Sequence, residues 1–244
     1  MSGLIELAAI QGVMTGSFLA KQGRFMVEVL LDPGLKAVCH LHDTGRVDHI
    51  LTSGSRVFVA LRSGRLGRRT SCDLVAGLSK EGVLVLLDSR LPNKLFRRAS
   101  TVLLGNISYI VGEPRLAGAR LDFIVGRENE VYAVEVKGVN TAESGACLFP
   151  NARSLRAVKH LELLRSLHSM VGSPVRPLMV FVALRGDCSL VKPNRRVDPL
   201  FSTLLCNYSS HIEYRAFKVV ATYRASEGGL HVFYGGEIPV EPCS

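Results

Sequence analysis

The sequence changes in character near residue 80, and this change constrains the fold more than any other feature. Before it, short apolar runs alternate with turn residues, and no helical periodicity competes with them. Four runs predict strands, at residues 26–31, 36–41, 56–62 and 70–78. Four or five short strands within about 80 residues are typical of a small closed barrel. We therefore expect an OB-like β-barrel over residues 1–80, with an SH3-like barrel as the alternative.

From residue 81 onward, helical patterns appear between apolar strands. Pro92 opens such a pattern over residues 91–104, and a second one covers residues 153–170 with basic side chains on its polar side. The uninterrupted apolar run Leu178–Leu184 predicts a strand that is buried on both faces. Strands framed by helices predict a mixed α/β domain over residues 81–244.

The composition excludes several classes of protein. The chain is 47% hydrophobic and 21% charged, which suits a buried core and is too apolar for a disordered chain. Its longest apolar run, Leu178–Leu184, is far shorter than the roughly 20 residues that span a bilayer. The first residues lack the basic region of a secretory signal. We therefore expect a cytoplasmic protein without a membrane partner.

The cysteines are spread widely along the chain. All six lie at least 18 residues apart and form no CxxC pair, which argues against a structural zinc site. Isolated thiols with apolar neighbours predict small buried side chains in a reducing compartment. One or two disulfides stay open as an alternative, as in the cytosol of a hyperthermophile.

The charge balance favours a polyanionic partner. The chain has 30 basic and 21 acidic residues, a net charge of +9, and 20 of the basic residues but only 13 of the acidic ones follow residue 88. Nucleic acid is the first expectation and an anionic membrane surface the second. Basic clusters at residues 56–69 and 90–98 would bind phosphates without regard to base sequence, or would form an ordinary solvated face.

Two carboxylates and a lysine could carry chemistry. Glu135 and Lys137 share one face of a predicted strand, and a hairpin with the preceding strand would bring Asp122 to the same face. Asp122 and Glu135 could hold a divalent ion together with the carbonyl oxygen of Val136, with Glu113 as an outer ligand. Lys137 would orient a water molecule or offset developing charge. The alternative is a solvated salt bridge of the common E-x-K kind.

Two histidine motifs allow weaker interpretations. His40 and His42 form a His-x-His pair that could bind a transition metal, but only Asp43 follows at a useful spacing. Structural hydrogen bonding is therefore the favoured role of that pair. His160 could reach the carboxylates or a phosphate, although a position on the helix surface is the favoured interpretation.

Several short motifs, taken in order, resemble the sugar fermentation stimulation protein family over nearly the whole chain. They are Gly23-Arg24-Phe25, His40-Leu41-His42-Asp43-Thr44-Gly45-Arg46, Pro92-Asn93, Arg120-Leu121-Asp122-Phe123, Glu135-Val136-Lys137, Phe149-Pro150-Asn151-Ala152, Lys159-His160-Leu161 and Asp198-Pro199. The chain departs from the family at Asp43, where Asn is usual, and at Asn151, where Asp is usual. The resemblance implies an OB-like barrel, a domain similar to PD-(D/E)xK nucleases, DNA binding and a role in regulating sugar metabolism.

The sequence thus predicts a DNA-binding protein whose nuclease-like domain hydrolyses phosphodiesters with Mg²⁺ or Mn²⁺. Asp122, Glu135 and Lys137 would be catalytic, and the ion would be held by Asp122, Glu135 and Glu113. The DNA backbone would be held, without sequence preference, by Arg24, Arg68, Arg69, Arg97, Arg98, Arg153, Arg156 and Lys159. The alternatives are a non-catalytic DNA-binding regulator of sugar metabolism genes and, more weakly, an enzyme for a small phosphorylated metabolite. Strand edges in the C-terminal tail would permit a homodimer.

Overall fold

The computed structural model describes residues 4–32, 34–43, 45–62, 70–116, 119–168 and 175–244. The chain divides into two compact units, each assembled from three segments. Unit 1 comprises residues 1–91, 184–187 and 219–235, and unit 2 comprises residues 92–183, 188–218 and 236–244.

Unit 1 contains a five-stranded barrel. The strands of its first segment are β1 (Glu6–Gln11), β2 (Val13–Lys21), β3 (Met26–Leu31), β4 (Leu35–Leu41), β5 (Arg56–Leu61), β6 (Cys72–Leu78) and β7 (Leu84–Leu86). Strand β2 pairs with β3 and β5, β3 pairs with β4, and β5 pairs with β6, all antiparallel. The parallel pairing of β4 with β6 closes the barrel. The predicted OB-like barrel is confirmed, and the four predicted strands agree with β3 to β6 within two residues at each end.

Unit 2 supplies the mixed α/β part of the fold. Its elements are α1 (Leu91–Leu104), β8 (Tyr109–Gly112), β9 (Arg115–Leu116), β10 (Ala119–Arg120), β11 (Phe123–Arg127), β12 (Glu130–Val139), β13 (Ala142–Glu143), β14 (Ala146–Phe149), α2 (Leu155–His168), β15 (Val175–Ala183), β16 (Leu190–Pro193) and α3 (Pro199–Asn207). The last two strands, β17 (Glu213–Arg224) and β18 (Gly229–Ile238), contribute residues to both units. The predicted mixed α/β class is confirmed.

The main sheet of unit 2 places β12 between two neighbours. Strand β12 pairs in parallel with β15, which pairs in parallel with β17, while β11 joins β12 and β8 antiparallel. A smaller sheet has the order β13-β14-β16. In unit 1, β1 pairs antiparallel with β18. A strand with neighbours on both sides is shielded from water along its edges, so β12 offers a rigid support for polar side chains.

Helix α2 covers one face of this sheet because its apolar residues recur along one side. Leu161 and Leu164 are fully buried and pack in one core with Ala133, Met179 and Phe181 of the sheet. Asp198 fixes the start of two helices, since its carboxylate accepts hydrogen bonds from Phe201 N of α3 and from the backbone N of Ser154 just before α2. These hydrogen bonds therefore fix the position of the N-terminal end of α2 over the sheet that contains β12.

All six cysteines form disulfides, which corrects the prediction of isolated thiols. Cys39 pairs with Cys72 in unit 1, and unit 2 holds the pairs Cys147–Cys188 and Cys206–Cys243. The partners are 33 to 41 residues apart in sequence. Such distances carry no local signal, because only the folded chain brings the partners together.

Within the described ranges, no helix has the length and apolar character needed to cross a bilayer.

Candidate functional site

Asp122, Glu135 and Lys137 meet on the face of the sheet that α2 covers. Strands β11 and β12 pair with Phe123 opposite Val134, so the residue before β11, Asp122, comes beside Glu135. Side chains alternate along β12, which puts Glu135 and Lys137 on the same face as the core residue Ala133. The structure therefore brings these three predicted residues together.

Asp122 is held by two hydrogen bonds. Asn93 of α1 donates from Nδ2 to Oδ1 over 2.9 Å, and the backbone N of Val136 donates to Oδ2 over 2.8 Å. Burial raises the pKa of Asp122, and the nearby negative charge of Glu135 raises it further. The two bonds and Lys137 oppose these effects without reversing them. The negative charge of Glu135 thus disfavours ionisation of Asp122, and a cation between the two carboxylates would relieve this repulsion.

Glu135 is a buried carboxylate whose two oxygens differ in their partners among the described residues. Its exposure is 2%. Lys137 Nζ donates to Oε1 over 2.6 Å, and His160 Nδ1 bonds the same oxygen. Oε2 is buried and has no hydrogen-bond partner among the described residues. Burial alone would raise the pKa of Glu135, but His160 and Lys137 outweigh it, so the pKa lies below its usual value.

His160 and Asn93 complete the site; the sequence offered His160 there only as the less favoured alternative, and it gave Asn93 no role. The favoured interpretation of His160 as a helix-surface side chain is wrong, because α2 turns it onto Glu135 and it lies 3.5 Å from Lys137 Nζ. Asn93 stood only in the Pro-Asn motif of the family resemblance, without a role. The signal that could have placed His160 in the site is a polar residue on an otherwise apolar helix face.

The predicted outer ligand Glu113 has a different partner. Its exposed carboxylate forms an ion pair with Arg120. Only its backbone touches the site, since Glu113 N donates to the carbonyl oxygen of Asp122 over 2.8 Å.

A cleft of about 700 Å³ opens beside Asp122. Its lining includes Asp122 and His160, together with the basic side chains of Arg120, Arg156 and Lys159. Arg156 and Lys159 are exposed on α2. The cleft thus places the Asp122 carboxylate beside a cationic wall, a charge pattern that suits a phosphodiester next to a cation.

The other predicted DNA contacts are distributed over the chain. Arg153 donates to the carbonyl oxygen of Val197 over 3.4 Å and is exposed. Arg97 and Arg98 line another cleft of unit 2, of about 450 Å³. Arg24 of unit 1 lies over the ring of Phe25. Arg68 and Arg69 lie outside the described residues.

The His-x-His pair of unit 1 acquires a third polar neighbour. Asp73, and not the adjacent Asp43, brings a carboxylate to His40 and His42, and the three ligand atoms lie within 4.8 Å of one another. The group is a candidate metal site by geometry.

The comparisons with known proteins agree with this fold. The family described as "Sugar fermentation stimulation protein RE domain" matches residues 88–224, and the "SfsA N-terminal OB domain" matches residues 19–87. The chain belongs to the sugar fermentation stimulation protein family. The resemblance inferred from the short motifs is therefore confirmed.

Two curated members of this family illustrate the similarity. A sugar fermentation stimulation protein homolog of Moorella thermoacetica is 35% identical over 209 residues, which is 83% of this chain and 86% of the relative. The homolog of Carboxydothermus hydrogenoformans is 37% identical over 194 residues, covering 77% and 81% of the two chains.

A solved structure shares the fold. It is the SfsA of Pyrococcus furiosus in complex with Ca²⁺, with a TM-score of 0.82, 23% identity, and coverage of 97% of this chain and 99% of that one.

Proposed function

We propose that this member of the family binds DNA in the cleft of unit 2 and hydrolyses phosphodiester bonds there with Mg²⁺ or Mn²⁺. The observation that carries the proposal is the buried Oε2 of Glu135, which has no hydrogen-bond partner among the described residues. Beside it lies a second carboxylate, Asp122, whose pKa the charge of Glu135 raises. A hard divalent cation takes oxygen ligands and would satisfy both carboxylates. The Pyrococcus furiosus SfsA was solved in complex with Ca²⁺, which is a cation of the same class.

The donors around Glu135 leave one oxygen for such an ion. Lys137 and His160 both converge on Oε1, so Oε2 is the atom left to ligate. Asp122 is fixed by Asn93 and by the β12 backbone, which holds its carboxylate at the same place before the ion binds. The residues present therefore fit a hard cation. When bound, the ion would polarise the phosphate and lower the pKa of a water molecule.

The remaining roles follow from the charges of the chain itself. Lys137 is an ammonium group 13% exposed, placed to hold a water molecule or to offset charge that develops on the phosphate. His160 fixes the orientation of Glu135. Arg156 and Lys159 would contact the DNA backbone from the cleft wall, without reading bases.

The activity belongs in the cytoplasm, where DNA is available. Intracellular proteins of hyperthermophiles can keep disulfides there.

The test is metal-dependent cleavage of supercoiled plasmid and of a labelled oligonucleotide, with Glu135→Gln as the variant. Gln keeps the shape of the side chain and removes the charge that the ion needs. Glu162→Gln is the matched control, because Glu162 is an exposed glutamate of the helix α2 that packs over this site. We expect cleavage with Mg²⁺ or Mn²⁺ in the wild type and in the control, and no cleavage in Glu135→Gln or with chelator. Binding without cleavage by the wild type would reject the hydrolase and favour the non-catalytic regulator.

DNA affinity tests the cationic wall separately. The slope of log affinity against log salt is negative, and each lost phosphate contact reduces its magnitude by roughly 0.9 on duplex DNA. The double variant Arg156→Gln, Lys159→Gln should therefore make the slope shallower by about 2 and weaken binding to all sequences alike. Lys36→Gln in unit 1, which removes an exposed charge elsewhere, should leave the slope unchanged. An unchanged slope in the double variant would exclude the cleft as the DNA site.

A further inference from the structure

The barrel of unit 1 places two histidines and an aspartate on one rigid face. Strands β4 and β6 run parallel with Cys39 opposite Cys72 and His40 opposite Asp73. The disulfide between Cys39 and Cys72 joins the two strands next to this pair. His42 is the first residue after β4, and its ring centroid lies 4.2 Å from that of His40. Regular strand backbone therefore sets the positions of His40 and Asp73, and His42 follows directly from the end of β4.

One imidazole nitrogen in this cluster differs from the others in its hydrogen bonding. Nδ1 of His40 is buried and has no hydrogen-bond partner among the described residues. Asp73 is 9% exposed, and His42 Nε2 lies 3.0 Å from its Oδ1. Buried polar atoms are almost always satisfied by a protein group, a water molecule or an ion. His40 thus has a buried nitrogen without a partner among the described residues, in a group whose three ligand atoms lie within 4.8 Å of one another, which indicates that the cluster receives a ligand.

Two arginines already contact Asp73, and they differ in what they do. Arg90 Nη2 bonds Oδ2 over 3.2 Å and is itself held by Asp88. It can keep the carboxylate oriented while Oδ1 changes partner. Arg62 bonds Oδ1 and lies 3.4 Å from His42 Nε2, so its guanidinium lies against the same two atoms that an ion would use. Arg62 is thus a competing cation within the cluster.

We propose that His40, His42 and Asp73 form a binding site for a divalent transition-metal ion, Zn²⁺ first among them, and that Arg62 leaves Oδ1 when the ion binds. Two imidazoles and one carboxylate suit Zn²⁺, Co²⁺ or Ni²⁺, whereas an all-oxygen set suits Mg²⁺ and Ca²⁺. This site differs in chemistry from the Asp122–Glu135 pair. Arg90 acts as the group that orients the ligating carboxylate, as outer partners of metal ligands commonly do.

The test is titration of chelator-treated protein with Zn²⁺ against a chromophoric competitor, in excess Mg²⁺ so that oxygen-only sites are filled. We expect binding of a single Zn²⁺, with affinity reduced by at least about tenfold in His42→Ala and in His40→Ala. Arg62→Ala should bind Zn²⁺ more tightly, by about tenfold, because the competing cation is gone. Controls are His49→Ala, an exposed histidine of the same unit, and Glu135→Gln; both should bind as the wild type does.

A spectroscopic measurement keeps the test valid if a variant folds poorly. Co²⁺ bound by two imidazoles and a carboxylate in the wild-type protein should show visible ligand-field absorption, which stoichiometric Zn²⁺ abolishes. Absence of Zn²⁺ binding in both the wild type and Arg62→Ala would overturn the proposal. So would binding that survives both His40→Ala and His42→Ala, or that disappears in Glu135→Gln.

Discussion

Replacing Lys137 by Met should destabilise the protein, because it leaves the buried Glu135 carboxylate without its ammonium partner. The pair lies 2.6 Å apart with 13% and 2% of the two side chains exposed. Removing one member of a buried pair costs about 3–5 kcal/mol. His160 still bonds the same oxygen, so we expect the lower end, about 3 kcal/mol, and a fall in Tm of about 6–12 °C for a chain of this size.

The pH dependence of this loss has a defined sign. In the wild type the pKa of Glu135 is lowered from 4.5, so its ionisation stabilises the fold above that pH, and the contribution disappears as pH falls through the lowered pKa. Without Lys137 the pKa of Glu135 rises, and the carboxyl accepts a proton at a higher pH. The difference in unfolding free energy between wild type and variant should therefore shrink as the pH drops from 7 to below 4.5.

Thermal and urea unfolding of a double-mutant cycle measures the effect. Lys137→Met combined with Glu135→Leu removes both charges, and we expect it to recover most of the stability lost in the single variant. Lys94→Met is the control, an exposed lysine of α1 whose replacement should change stability by less than about 0.5 kcal/mol. Strictly additive losses in the double variant, or a loss in Lys137→Met as small as in the control, would refute the reasoning.

Three further changes test other parts of the structure. Asp122→Asn should abolish plasmid cleavage, and its stability relative to the wild type should increase as the pH rises through the raised pKa of Asp122, because ionised Asp122 opposes folding; a stability difference in urea unfolding that does not change with pH contradicts this. Replacing Cys147 and Cys188 by Ala should cost about 4 kcal/mol from the 41-residue separation, measured against the same protein with the other two disulfides intact. Asp198→Ala should lower Tm through a loss of about 2 kcal/mol, and Asp198→Asn, which keeps an acceptor for Phe201 N, should lose less.

Local sequence patterns predicted strands and helices well where a single strand or helix periodicity of apolar residues dominated the segment. The apolar run of β3 and the helix at Leu91–Leu104 have the predicted bounds. Strand β2 was missed because Gly16 interrupts its apolar run. In the structure a Cβ at Gly16 would lie 2.6 Å from the carbonyl oxygen of Leu30, so the glycine permits the close approach of β3. A sequence pattern shows the missing side chain but not the neighbour that requires it.

Only part of the candidate site was predicted, because only part of it depends on residues that are close in the sequence. Alternation along one strand places Glu135 and Lys137 together, and a hairpin between neighbouring strands brings in Asp122. These relations span few residues, and the sequence contains them. Asn93 and His160 come from helices 42 and 25 residues away from Glu135 in the chain, and their approach depends on how α1 and α2 pack.

The sequence by itself determined most of the longer strands and helices, the barrel followed by a mixed α/β part, and the basic character of the chain, because turn chemistry and periodicity act over a few residues. Only the tertiary structure decided which cysteines pair, that Asp73 joins His40 and His42, and that two donors converge on one oxygen of Glu135. These contacts join segments distant in sequence, and their partners are selected by the packing of the whole chain rather than by any local preference.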